Sequence, residues 1–189
     1  MSLYELVQAH GGNCGKEFSE IACAAYPLLD FDKGSGHPDS IGGVGDTEFL
    51  ARFVFSPHHW DETKSEPLPA LFEDIFTIGC SVQRVDLQGT EECHRHGEQF
   101  ERIKQSQDKP HTYIGFANCQ ASVIRSIRVN REQQEVAIPD TPQTGNRWHA
   151  DIVAWLPEGM TKSQRRTAKA ALRVEVWRKF MQYDFSTRP

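Results

Sequence analysis

Apolar residues recur at helical spacing twice near the start of the chain. One stripe follows the capping box of Ser2 and Glu5, and a second runs from Lys16 to Tyr26 before Pro27. Together they predict an N-terminal helical hairpin. A helix-turn-helix has the same outline, but neither segment carries the basic face that phosphate contact requires.

The middle of the chain holds both strand-like and helix-like patterns. β-branched and aromatic residues predict strands in LARFVFSP, CSVQRVD, HTYIGFANC and QEVAI. Helical periodicity is found in LPALFEDIF and from Glu91 to Gln105. The segment ASVIRSIRV fits a strand or a helix equally well, because a short apolar run does not separate the two periods.

Residues 30 to 47 contain five glycines and little that a core would bury. Within this stretch, IGGVGDTEF has the glycines of a phosphate-binding loop but lacks the Lys-Ser/Thr pair that such a loop uses. We therefore expect a long flexible loop here.

The run RWHADIVAW alternates cleanly between polar and apolar residues. One face would hold Trp148, Ala150, Ile152 and Ala154, and the other Arg147, His149 and Asp151. The pattern predicts a strand with one wet or functional face.

Thr161 and Gln164 form a capping box at the start of the last element. The next twenty residues are mostly strong helix formers. Four cations are spaced to share one face of this helix: Lys162, Arg166, Lys169 and Arg173. An apolar stripe would lie on another face: Ala170, Val174, Trp177 and Met181. The helix can thus pack with one side and present charge with another.

Strands cluster between helices instead of alternating with them. This order predicts a single α+β domain with a largely antiparallel sheet, flanking helices and a long C-terminal helix. A chain of 189 residues is long enough for one substantial core. We expect residues 1–160 to form an acidic α+β body that begins with the helical hairpin. Residues 161–189 would form a basic amphipathic helix of the same domain.

Charge is divided unevenly along the chain. Residues 161–189 hold eight Lys or Arg and two acidic residues, a net charge of +6, whereas residues 1–160 hold 13 and 24, a net charge of -11. Such a split favours a surface that docks on an acidic partner or a second copy, although the basic end can equally lie against its own acidic body. Nucleic-acid binding is an alternative that the overall acidity disfavours.

The cysteine pattern and the hydropathy of the chain indicate its cellular compartment. The five cysteines are an odd number without a CxxC pair, which is typical of free thiols in a reducing environment. No run of apolar residues is long enough to span a bilayer, and the first residues lack the blocks of a signal peptide. We expect a cytoplasmic protein without membrane contact.

Several polar residues are candidates for acid–base chemistry. If Arg147, His149 and Asp151 share a strand face, the aspartate can orient the imidazole as a general base and the arginine can hold an anion. His59 follows a predicted strand together with His58, a common place for catalytic groups. An ordinary polar strand face and a polar loop account for the same residues without chemistry.

Cys93, His94 and His96 are candidate zinc ligands near the start of a predicted helix. A four-ligand site would need a distant partner such as His58, His59 or Cys80. Because a polar first turn over a buried face explains the same residues, zinc is not favoured. Cys119 ends a predicted strand where a nucleophile can project, but no base lies beside it in the sequence.

The leading functional prediction is a small interaction or accessory protein that docks an acidic partner surface through its basic C-terminal helix. The first alternative is a small acid–base or metal-dependent hydrolase or transferase that uses a cluster of His, Asp and Cys. The second alternative is an accessory subunit that binds nucleic acid.

Overall fold

A computed structural model describes residues 32, 39–77, 79–109, 111–130, 134–156, 159–180 and 182–185. The predicted N-terminal hairpin lies outside these residues. Among them, none of the helices combines the length and the apolar character that crossing a membrane requires.

The centre of the fold is a six-stranded antiparallel sheet in the order β6-β7-β4-β1-β5-β8. Its strands are β1 (Phe49–Ser56), β4 (Cys80–Arg84), β5 (Thr112–Gln120), β6 (Val136–Ala137), β7 (His149–Ala154) and β8 (Gln182–Phe185). A separate ribbon pairs β2 (Trp60–Asp61) with β3 (Glu66–Pro67). The predicted strands in the middle of the chain are confirmed.

Four α-helices and one 3-10 helix flank the sheet in the described part of the chain. The 3-10 helix spans Pro69–Phe76, and the α-helices are α1 (Val85–Gln88), α2 (Thr90–Gln105), α3 (Ala121–Arg125) and α4 (Lys162–Lys179). The predicted α+β class, with a largely antiparallel sheet and a long C-terminal helix, is confirmed. The ambiguous ASVIRSIRV begins with the short helix α3, and the end of CSVQRVD belongs to α1.

The two faces of the sheet are covered by different helices. Leu50 lies in the main core with residues of the 3-10 helix and α4, where the Phe72 and Phe180 rings are 4.8 Å apart. Ala51 points to the opposite face, as alternation along a strand requires, and there Cys93 of α2 packs against it. Helix α2 lies mainly against β5, so it covers little of the part of this face that β4 and β7 form.

Helix α4 begins at the predicted capping box, in which the Thr161 hydroxyl accepts a hydrogen bond from the Gln164 amide. Its buried residues are Ala168, Leu172 and Val176. The predicted apolar stripe is wrong at Ala170, which is exposed, whereas Val174 and Trp177 are half-buried and Trp177 packs against the main core. Met181 lies outside the described residues. The helix ends at Lys179 with Phe180 as its C-cap, and the chain then adds β8 to the sheet.

The described residues of the glycine-rich segment lie in a loop, as predicted, and two arginines bind its backbone carbonyls. The Arg84 guanidinium, almost fully buried, donates to the Gly42 carbonyl at 2.7 Å and to both Glu48 carboxylate oxygens. Arg125 donates to the Val44 carbonyl at 2.9 Å and to Asp32. Buried charges need such partners, because removing them from water is costly.

Candidate active site

A cleft of about 560 Å³ opens on the sheet face beside α2. Strands β1, β4 and β7 form its floor, α2 forms one wall, and the turn at residues 143–146 forms the other. Histidines from distant parts of the chain line it: His59, His96, His111 and His149. The volume is typical of small-molecule sites.

The floor of the cleft is set by the register of the strands. Gln83 of β4 pairs with Ala51 on one side and with His149 on the other, so the three side chains form a row across the sheet. The next row pairs Ser81 with Asp151. Since alternate residues share a face, the His149 and Asp151 side chains both face this side.

One long hairpin presents His149 to the cleft. Strand β6 and the residues after it form one arm of the hairpin, antiparallel to β7. At its tip, Gln143 and Asn146 exchange backbone hydrogen bonds of 2.8 and 3.0 Å. Gly145, at a φ of +79°, occupies the left-handed conformation that this tight turn needs. The turn brings Thr141 and Gln143 opposite His149.

Both ring nitrogens of His149 have partners in this hairpin. Its Nδ1 lies 2.6 Å from the Thr141 carbonyl oxygen, and its Nε2 lies 3.1 Å from the Gln143 side-chain amide nitrogen. A carbonyl oxygen only accepts, so the neutral ring carries its proton on Nδ1. The Nε2 lone pair then accepts from the Gln143 amide.

Asp151 is linked to His149 through a hydroxyl group. The Thr141 Oγ1 donates to an Asp151 carboxylate oxygen at 2.8 Å and lies 3.1 Å from His149 Nδ1. The direct separation, from Asp151 Oδ1 to His149 Nε2, is 4.0 Å. The predicted pairing of His149 with Asp151 is therefore present, but Thr141 mediates it.

The other end of the cleft is aromatic. The Phe55 ring is surrounded by the rings of Phe100 at 5.6 Å, His111 at 6.1 Å and His59 at 6.2 Å. Such separations suit tilted and edge-to-face packing of aromatic rings. This end presents flat, mostly apolar surfaces to the cleft.

The histidines at the aromatic end are held uncharged. Burial lowers the pKa of His59 to about 3, and the positive charge of Arg52 adds to the effect. Burial also lowers the pKa of His111 and of His96. The Nδ1 atoms of His59 and His111 are buried and find no hydrogen-bond partner among the described residues.

Charged side chains at the cleft are unevenly balanced. Among the described residues, Arg52 and Lys104 line it together with the carboxylate of Asp74. The Arg52 guanidinium is fixed by the Leu71 carbonyl oxygen at 3.1 Å and the Ser81 carbonyl oxygen at 2.9 Å. Lys104 places its ammonium 5.0 Å above the Phe100 ring.

A pair of carboxamides lies between the floor and the turn. The Asn146 side-chain nitrogen donates to Gln83 Oε1 at 3.0 Å, and the buried Asn146 Oδ1 has no partner among the described residues. Gln83 is itself 5% exposed. An acceptor in such a position lacks the hydrogen bond that water would give it.

The structure separates Arg147 from the other predicted catalytic residues. Strand β7 begins at His149, and Arg147 is exposed in the preceding turn. It lines a neighbouring depression of about 440 Å³ on the far side of Gln143 and Asn146. His149, in contrast, is only 3% exposed, so the face predicted to be wet is buried at this position.

The three predicted zinc ligands have separate partners. The Cys93 thiol is buried against Ala51 and Phe116, and burial raises its pKa to about 12. His94 Nε2 lies 3.2 Å from Asp184, whereas His96 Nδ1 lies 2.7 Å from the Gln88 amide. Over the described ranges, no group of three or more His, Cys, Asp or Glu residues is arranged to hold a metal.

The four cations of α4 divide into two pairs. Lys162 and Arg166 are exposed. Lys169 lies 5.1 Å from the Phe76 ring centre, and Arg173 donates to the Glu73 carbonyl at 3.5 Å. The second half of the basic row thus lies on the 3-10 helix of its own body.

Cys119, the candidate nucleophile, is buried in the main core. Burial raises the pKa of its thiol to about 11, so it is a thiol and not a thiolate at neutral pH.

Sequence reasoning missed the cleft residues that give His149 its geometry. Thr141, Gln143 and Asn146 lie in the run PDTPQTGN, whose residues indicate a turn and no chemistry, and Gln83 lies in a strand predicted from its β-branched residues. A polar residue at the centre of an apolar strand was the available signal for Gln83. His111 had no such signal.

Comparison of this chain with protein-family models, curated proteins and solved structures found no match.

Proposed function

We propose that the protein is a small acid–base enzyme that acts on a small molecule in the cleft, with His149 as the general base. The observation that supports this most is the pair of bonds on the His149 ring. Because the Thr141 carbonyl takes the Nδ1 proton, Nε2 keeps its lone pair on the side of Gln143 and the cleft.

Gln143 gives this site a way to engage a substrate. Its side chain is exposed at the turn, so the amide can rotate away from Nε2 and leave the lone pair to a substrate proton or to a water molecule. The Nδ1 side stays fixed by Thr141 while this happens. His149 then takes a proton at Nε2, and the imidazolium returns it to the leaving group as general acid.

Asp151 acts here as a positioning residue. Through the Thr141 hydroxyl its carboxylate supports the charge that develops on the ring when Nε2 is protonated. Proton abstraction from a substrate and activation of water for hydrolysis or group transfer both use this arrangement.

The test is a panel of small esters, amides and enolisable ketones, followed by proton NMR for product or for deuterium exchange. His149→Gln keeps a polar side chain but removes the base, and we expect it to lower turnover by roughly 100-fold or more. Arg147→Gln is the matched control, because Arg147 lies outside the cleft, and it should retain turnover. Equal turnover by wild type and His149→Gln would refute the proposal.

Docking through α4 is the second candidate function, and the exposure of Lys162 and Arg166 favours it. These residues extend from the first turns of the helix and can meet an acidic surface, including the acidic body of a second copy. Analytical ultracentrifugation of wild type and of the Lys162→Glu, Arg166→Glu double variant tests self-association of this kind. Identical sedimentation at low and high salt counts against it.

A further inference from the structure

The carboxamide pair of the cleft has a buried acceptor that none of the described residues uses. Asn146 donates its side-chain N–H to Gln83 Oε1, which fixes the amide, and its Oδ1 is left buried without a partner among the described residues. A buried acceptor without a hydrogen bond is unfavourable, and a ligand that donates one relieves this. An uncharged N–H or O–H group satisfies Oδ1.

The opposite end of the cleft suits a flat ring. Phe53, Phe55 and Phe100 line it together with His59 and His111, both of which burial keeps uncharged. Aromatic surfaces of this kind favour a planar apolar group, which packs on them at ordinary ring separations. The cleft volume of about 560 Å³ accommodates a bicyclic ring with one polar substituent.

Charge at the cleft opposes a cationic ligand. Among the described residues, Arg52 and Lys104 line it against the carboxylate of Asp74, and the nearby Asp151 carboxylate accepts from the Thr141 hydroxyl. The hydrogen bonds of Arg52 to the Leu71 and Ser81 carbonyls also reduce what it can offer an anion. A neutral donor therefore fits better than an ammonium, an amidinium or a carboxylate.

We infer that the cleft binds a neutral aromatic compound with an N–H or O–H donor, its ring at the Phe55 end and that donor on Asn146 Oδ1. This inference rests on the proposed function in that it concerns the same cleft, where it would place the donor group near His149. It concerns binding, and it can be measured in the absence of any turnover.

Four probes with the same ring test this assignment: 2-naphthamide, N,N-dimethyl-2-naphthamide, 2-naphthamidine and 2-naphthoate. Dissociation constants are measured by NMR titration of the full chain. We expect 2-naphthamide to bind best, and the loss of its N–H groups to weaken binding roughly fivefold to tenfold, the effect of one hydrogen bond. Equal or tighter binding of the dimethyl compound, the cation or the anion would overturn the assignment, as would no binding of 2-naphthamide.

Two asparagine variants locate the contact. Asn146→Ala should weaken 2-naphthamide to the level of the dimethyl compound and leave the latter unchanged. Asn118→Ala is the matched control, since Asn118 Oδ1 is also buried without a partner among the described residues but does not line the cleft. If Asn118→Ala weakens 2-naphthamide as much as Asn146→Ala does, the contact is not at Asn146 and the inference fails.

His149→Gln separates this inference from the proposed function. The variant lacks the base but keeps Asn146 and the aromatic end, so its preference for 2-naphthamide over the dimethyl compound should persist. If that preference persists while no His149-dependent turnover is found, only the proposed function fails. If turnover depends on His149 but no probe shows the N–H preference, only the present inference fails.

Discussion

His149 Nδ1 lies 2.6 Å from the carbonyl oxygen of Thr141, across the hairpin that leads into β7. This contact determines which nitrogen of the neutral imidazole holds the proton, because the carbonyl cannot donate. It is a backbone contact, so no substitution of Thr141 removes it. The tautomer is thus a property of the hairpin itself.

Thr141→Val tests the hydroxyl link between His149 and Asp151. The variant keeps the carbonyl contact but loses Oγ1, which lies between His149 Nδ1 and the Asp151 carboxylate. We expect turnover of a substrate found in the panel to fall roughly fivefold, the effect of one hydrogen bond of about 1 kcal/mol. Thr112→Val, at an exposed position of β5, is the control and should show no fall. Equal rates for the two variants would exclude a role for the link.

His59 predicts how stability depends on pH. Its folded-state pKa is about 3, below the ordinary 6.5, mainly because of burial, so the unfolded chain binds a proton more readily. Its contribution is full above pH 6.5 and is lost as pH falls from 6.5 towards 3. His59→Asn should flatten the decline in the free energy of unfolding over this window, measured by urea titration.

Gln99→Ala, a change to an exposed non-titrating residue of the same cleft, is the control for that experiment. It should keep the wild-type pH dependence. An equally steep decline in His59→Asn would show that His59 does not cause it.

Arg84→Met tests the buried charge network beneath the glycine-rich segment. The change leaves Glu48 and the fully buried Asp140 without their guanidinium partner, and breaking a buried pair costs roughly 3–5 kcal/mol. Denaturant unfolding measures this cost. The matched control is Arg95→Met, which breaks an exposed pair with Glu92 and should change stability little. Similar losses for both variants would contradict the account.

Leu172→Ala tests the buried stripe of α4. Leu172 is 0% exposed within the main core, and truncating such a leucine costs roughly 2–5 kcal/mol. Arg166→Ala, on the exposed side of the same helix, should change the free energy of unfolding by less than about 0.5 kcal/mol. A small loss for Leu172→Ala would mean that α4 does not pack on the body as described.

Local patterns in the sequence were enough to predict much of the fold. The alternation in RWHADIVAW predicted β7, and the capping box of Thr161 and Gln164 predicted the start of α4, because both depend on neighbours along the chain. The buried stripe of α4 was missed because apolar residues occur on two of its sides. Only the body, through its contact with Leu172, decides which side is buried.

The candidate site was predictable only in part. His149 and Asp151 were identified from their spacing on one strand, and His59 from its position after β1. The cleft itself depends on strand pairing between distant residues, such as Gln83 with His149, and on a turn that brings Gln143 onto the ring. Such long-range pairings leave no mark in a local pattern.

The position of the proton on His149 tests the central claim most directly. A long-range proton–nitrogen NMR spectrum of the nitrogen-15-labelled protein, recorded at mildly alkaline pH, distinguishes the two tautomers of each histidine. His149→Gln identifies the relevant signals by their loss. The account predicts a protonated Nδ1 and a bare Nε2 on His149. A proton on Nε2 would remove the base from the cleft and contradict the proposed function.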